Sequence, residues 1–210
     1  MHHLALLGDS IFDNKNYVGG APAVIDHVRK YLPGGWKASL LAVDGSVANN
    51  IPGQVKRLPA DVTHVALSIG GNDAMDAIPG LEDATPLAMM QALQYLSAIQ
   101  STFETVFEQA IKAAKVWDKP ILVCTIYDKV PELPPALRTA LSLFNDVIVR
   151  IAARHGLPLL DLREVCNEPS DYAVSHPIEP SATGGEKIAL RLIQAVMRHD
   201  FQSKKCQHYC

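Results

Sequence analysis

Acyl transfer by a serine needs a nucleophile, a base to take its proton and donors arranged for the oxyanion, and this chain carries candidates for each part. The stretch His3-Leu4-Ala5-Leu6-Leu7-Gly8-Asp9-Ser10 runs from apolar residues into Gly-Asp-Ser, which makes Ser10 the candidate nucleophile. The backbone amides of Ser10 and Gly45 and the side-chain amide of Asn72 are candidate oxyanion donors. A glycine at 45 lets a backbone amide approach a ligand closely, and the neutral Asn72 amide donates without a counter-charge. Asp9, Asp13 and Asp73 read as turn and cap residues, with Asp73 placed to hold the Asn72 loop in shape.

These residues depend on the elements that precede them. Leu4 to Leu7, Ala38 to Val43, Val62 to Ile69, Ile121 to Ile126 and Leu157 to Leu160 are short apolar runs that predict five buried strands. The first three end in polar turns: Gly8-Asp9-Ser10, Asp44-Gly45-Ser46 and Gly70-Gly71-Asn72-Asp73. Between the runs lie helical patterns. One starts at Pro22 and carries Val24, Ile25, Val28 and Leu32; a long one is opened by Thr85 as N-cap and Pro86, with Met89 and Met90 as core filling; a third begins at Pro135. Thr183-Gly184-Gly185-Glu186 has capping-box spacing before a last amphipathic helix. Strands alternating with helices predict a parallel sheet with helices on both faces, and right-handed crossovers bring the strand ends to one rim, where open α/β sheets bind ligands.

In order and spacing, Gly8-Asp9-Ser10, Gly45 and Gly70-Gly71-Asn72-Asp73 resemble the first three blocks of the SGNH hydrolases, also called the GDSL lipase/esterase family. The resemblance spans nearly the whole chain and implies a three-layer α/β/α, flavodoxin-like fold with a five-stranded parallel sheet. It also implies a serine hydrolase acting on a carboxylic ester or thioester through an acyl-Ser10 intermediate, with no metal or organic cofactor. Asn145-Asp146 fall where the family has its fourth helix.

The last block departs from the family's Asp-x-x-His, since no residue pair here has that spacing: Ala173 stands three before His176. Two registers remain. In one, His176-Pro177 matches the family's His-Pro, so His176 is the base and Asp171 reaches it from five residues away. In the other, Glu179-Pro180-Ser181 matches, with the more natural distance to the final helix, and Glu179 stands where the histidine should be. An imidazole near pKa ~6.5 suits neutral pH better than a carboxylate near ~4.3. His176 is therefore the expected base, with Glu179 or Asp171 fixing its tautomer as the acid does in other triads.

Composition narrows the classes. The 210 residues, 48% apolar and 20% charged with a formal net charge of −3, predict one soluble domain over 1–200 with a polar tail at 201–210, and no nucleic-acid partner. No apolar run approaches the roughly 18 residues of a membrane span. The first run merges into the Gly-Asp-Ser turn, so no secretory signal is expected. Cys124, Cys166, Cys206 and Cys210 lack zinc-ligand spacing, which fits a cytoplasmic enzyme with free thiols, a Cys206 to Cys210 bridge being the alternative. The competing functions are a non-catalytic binding protein that keeps the pocket without its base, and an acyltransferase using the same residues. A flavodoxin-like nucleotide binder is disfavoured, because Gly70-Gly71 lacks the spacing of a dinucleotide loop and the P-loop lysine.

Overall fold

The structure is a computed structural model that describes residues 1–82, 89–203 and 205–210. The expected cap at Thr85 and Pro86 lies outside them. Strands β1 (His2–Gly8), β2 (Trp36–Leu40), β3 (His64–Ser68), β4 (Ile121–Cys124), β5 (Leu159–Leu160) and β6 (His208–Tyr209) form one sheet in the order β2-β1-β3-β4-β5-β6, and every pairing is parallel. The expected three-layer α/β architecture is present with six strands in place of five. The additional strand comes from the C-terminal tail, where the Gln207 carbonyl accepts from the Leu159 amide and the Tyr209 carbonyl from the Asp161 amide, both at 2.8 Å. Two residues among polar neighbours carry no strand signal of their own; the pairing comes from the open edge of β5.

Alternation along the strands divides the core. Ala5, Leu7, Val65, Leu67, Ile121, Val123 and Leu159 face one layer, where they pack with α2 (Ile51–Val55), α5 (Met89–Lys115) and α6 (Pro135–His155). Leu4, Leu6, Ala66, Leu122, Cys124 and Leu160 face the other, with α1 (Val24–Tyr31), α7 (Leu162–Val165) and α8 (Ala182–Arg198). Burial on both faces explains why β1, β3, β4 and β5 read as continuous apolar runs.

Three local expectations change. The segment after Asn72, expected as a loop, holds two short helices, α3 (Gly71–Asp76) and α4 (Ile78–Glu82); Pro79 and Gly80 signal a turn but sit inside α4. Met89 and Met90 are exposed, because the N-terminal part of α5 projects beyond the core, which begins at Phe103. The last helix is capped by Ser181 instead of Thr183: its Oγ accepts from the Gly184 amide at 3.1 Å, while Glu186 engages Tyr31.

Candidate active site

Ser10 stands on the turn that leaves β1, and the geometry of that turn is set by Gly8. Its φ of +138° lies in a region open to glycine, and a Cβ there would fall 1.8 Å from the Ser68 carbonyl oxygen on β3. Gln54, buried on α2, fixes the same residue from the other side: its amide donates to the Gly8 carbonyl at 2.7 Å and its carbonyl accepts from the Gly8 amide at 2.8 Å. The same nitrogen reaches the Ser46 hydroxyl at 3.2 Å, so one side chain ties the Ser10 turn to the Gly45 loop. Asp9 turns inward and accepts from the Ile11 amide at 3.1 Å. Burial pushes its carboxyl up to about 8; the Ile11 bond lowers it, and the charges of Glu179 and Asp73 add to the rise.

The donors expected for an oxyanion are held at neighbouring strand ends. Asn72, in the first turn of α3, donates through Nδ2 to the Ser46 carbonyl at 2.9 Å, which leaves its second N–H available. Asp73 beside it accepts from the Ala48 amide at 3.0 Å and locks α3 to the same loop. Gly45 has φ +76° on the turn after β2, and among the described residues neither its amide nor that of Ser10 donates to another protein group. Ser10, Asn72 and Glu179 line one cavity of about 780 Å³, counted out to open solvent; Gly45 lines a separate depression with Asp44, Ser46, Asn50 and Arg57. The cavity walls are otherwise almost wholly apolar, supplied by Ala74 and Met75 of α3, Ile78 and Leu81 of α4, and Leu137, Leu141 and Phe144 of α6.

The last block separates its candidates. Glu179 is buried, and its backbone is clamped: its N–H donates to His176 O at 2.9 Å, its carbonyl accepts from the Ala173 amide at 2.8 Å, and the next carbonyl, of Pro180, accepts from Asn14 at 3.0 Å. Its side chain lines the same cavity as Ser10. Burial pushes the carboxyl up to about 7, with the Ser10 hydrogen bond pulling it down and the Asp44 charge adding to the rise. His176 lies on the exposed tip of this loop, where Nδ1 meets the Ser175 hydroxyl at 3.1 Å and the ring packs edge-on against Tyr17 at 5.1 Å. Tyr17 in turn donates to Asp44 at 2.6 Å. Asp171 does not reach His176. It is wholly buried, pairs with Lys187 of α8 at 2.7 Å and accepts from the Glu168 amide at 3.0 Å, so it anchors the loop to the last helix.

Gln54, Asn14 and Tyr127 belong to this framework without having been singled out in the sequence. Gln54 leaves a trace, as the one amide side chain inside Ile51-Pro52-Gly53-Gln54-Val55. Asn14, whose Oδ1 accepts from the Val24 amide at 2.9 Å, sits among turn formers and gives none. Tyr127 holds the Ile178 carbonyl, one residue before Glu179, at 2.5 Å. Asn145, which the family resemblance already pointed to, brackets Ile126 through its amide and carbonyl at the end of β4.

A family model described as the GDSL-like lipase/acylhydrolase family matches residues 6–187. The chain belongs to that family. Solved structures of similar fold include an extracellular lipase from Streptomyces rimosus, with 16% identity, 93% of this chain and 99% of the other covered, and a TM-score of 0.69. A lipase from a goat rumen metagenome aligns at 14% identity over 96% and 100% of the two chains, with a TM-score of 0.72. An acetyl xylan esterase from Geobacillus stearothermophilus aligns at 17% identity over 93% and 94%, with a TM-score of 0.66. No curated protein sequence matches the chain significantly. The family is one of carboxylic ester hydrolases, of the esterase or lipase type. Among the described residues no helix is long and apolar enough to cross a membrane, and no cluster of three or more His, Cys, Asp or Glu is placed to hold a metal ion.

An oxyanion role for Asn72 has a measurable signature. Asn72→Ala is expected to lower kcat by roughly 10²-fold with little change in KM, because the donor is used mainly as charge develops. Unchanged turnover would remove Asn72 from the reaction.

Proposed function

We propose that the protein hydrolyses carboxylic esters or thioesters with an apolar acyl group, through an acyl-Ser10 intermediate. One observation supports this above the rest: the Ser10 hydroxyl stands at an apolar cavity beside the Asn72 amide and its own unpaired backbone amide. Among the described residues the cavity's α4 and α6 walls are apolar and offer an acyl chain burial, whereas the alcohol or thiol half of the substrate faces the depression lined by Gly45, Asn50 and Arg57.

The test is covalent. A fluorophosphonate probe is expected to label the wild-type protein at Ser10, read by mass spectrometry of the modified peptide, and to leave Ser10→Ala unlabelled. With p-nitrophenyl esters, kcat/KM is expected to rise from acetyl to hexanoyl by up to about fourfold per methylene, the equivalent of ~0.8 kcal/mol for each buried CH₂. A protein that binds the acyl chain yet takes no label and turns over no ester is the binding protein of the competing reading.

A further inference from the structure

We propose that Glu179 is the general base of the Ser10 site, taking the position and the task of the histidine expected from the family. The inference rests on the acyl-Ser10 reading above. Its geometric basis is the meeting of two side chains in one cavity, Glu179 and Ser10, at the place where the last block of the sequence enters the site. His176 stays outside, exposed on the tip of the loop against Tyr17.

Among the described residues Glu179 has no structural partner of the kind a buried carboxylate ordinarily requires. Acidic groups at such depth are paired or hydrogen-bonded to backbone amides. Asp171 shows that arrangement, with the Lys187 ammonium and the Glu168 amide on its carboxylate. The Glu179 carboxylate shares its cavity with Ser10, and among the described residues its buried Oε2 has no hydrogen-bond partner. The ionisable groups that face it are Asp9 on the Ser10 turn, Asp44 and Tyr17 at the mouth, and Tyr127 after β4, none of them a cation. A carboxylate left this way keeps a high proton affinity, which is what a base for a serine hydroxyl needs. Its pKa of about 7 lies close to neutral pH, where a base combines a useful ionised fraction with useful driving force.

The replacement also accounts for the missing acid. An imidazole base needs a carboxylate to fix its tautomer and orientation, whereas a carboxylate has no tautomer to fix. Here the orientation comes from the backbone clamp on Glu179 and Pro180, and Asp171 is used elsewhere. In the first half-reaction the Ser10 oxygen bonds to the acyl carbon, its proton passes to the Glu179 carboxylate, and the carbonyl π pair moves onto oxygen. Collapse re-forms the carbonyl and breaks the bond to the alkoxide or thiolate, which takes the proton from Glu179. Water repeats the sequence on the acyl-serine: it gives its proton to Glu179, the C–O bond to Ser10 breaks, and Ser10 recovers the proton. Ester and water become acid and alcohol, and Glu179 ends ionised.

The experiment compares wild type, Glu179→Gln, His176→Ala and Ser10→Ala with p-nitrophenyl butyrate and the fluorophosphonate probe. Glu179→Gln is expected to lower kcat/KM by about 10²- to 10⁴-fold and to slow labelling of Ser10. His176→Ala is expected to stay within about threefold of wild type and to keep a kcat/KM that rises with pH through about 7, since the base acts when ionised. Warming separates the two chemistries without any substitution, so it decides even if Glu179→Gln fails to fold. Carboxylic acid ionisation carries little enthalpy and leaves the rising limb in place, whereas an imidazole limb moves to lower pH. A limb that moves on warming, a His176→Ala variant as impaired as expected for Glu179→Gln, or a folded Glu179→Gln with wild-type activity overturns the proposal. Failure of the acyl-serine reading looks different: Ser10→Ala then hydrolyses the ester as fast as wild type.

Discussion

Ser10→Ala is expected to abolish ester hydrolysis, with kcat/KM falling on the order of 10⁴-fold or more, as removal of a covalent nucleophile does elsewhere. The fold survives the change: Ser10 lies on a turn whose shape is held by Gly8, Gln54 and Asp9, and its side chain lines the cavity it shares with Glu179. Melting should therefore stay near wild type while activity disappears. A second readout follows from the same contact. The Ser10 hydrogen bond lowers the Glu179 pKa, so its loss should move that carboxyl above about 7, visible as a carboxyl signal in infrared or ¹³C NMR titration. Retained turnover in Ser10→Ala, or a Glu179 titration identical to wild type, would separate the serine from the chemistry.

Gly8→Ala is expected to act on the fold itself. The added methyl would sit 1.8 Å from the Ser68 carbonyl oxygen, at a φ of +138° that L side chains rarely adopt. Both costs fall on the β1–β3 pairing at the centre of the sheet. Overpacking and backbone strain each cost about 1–3 kcal/mol, and their sum is a large part of the ~5–15 kcal/mol that keeps a domain folded. A fall in Tm of about 10 °C or more is the expected result for a chain of this length. Thermal circular dichroism checks it, and a wild-type melting curve would mean that β1 and β3 separate at this end without penalty.

The central strands were legible in the sequence because they are buried on both faces, so Leu4–Leu7 or Ile121–Cys124 stand out as unbroken apolar runs. Ser10, Gly45 and Asn72 could be picked out because they stand in the short polar turns that follow such runs. Other features are tertiary in origin. His208–Tyr209 is a strand only because β5 offers an edge, and α3 and α4 form over Pro79-Gly80 where they wall the cavity. For Glu179, spacing before α8 offered a position but not a role. The role depends on burial and on there being no counter-ion among the described residues, neither of which is written in the local sequence.

The carboxyls of Asp9 and Glu179 bear on more than catalysis. Both prefer the proton in the folded state, at about 8 and about 7, because burial disfavours their charge. Their contribution to stability is complete below the ordinary carboxylate range and is lost as pH rises through 7 to 8. Paired carboxylates such as Asp161 and Glu104, held below their usual range by arginines, work in the opposite sense and lose stability as pH falls. The pH that readies the serine is thus the pH at which its surroundings are least content. Ionising the site draws on the stability that the rest of the molecule supplies, and acid conditions that silence the enzyme relieve that demand.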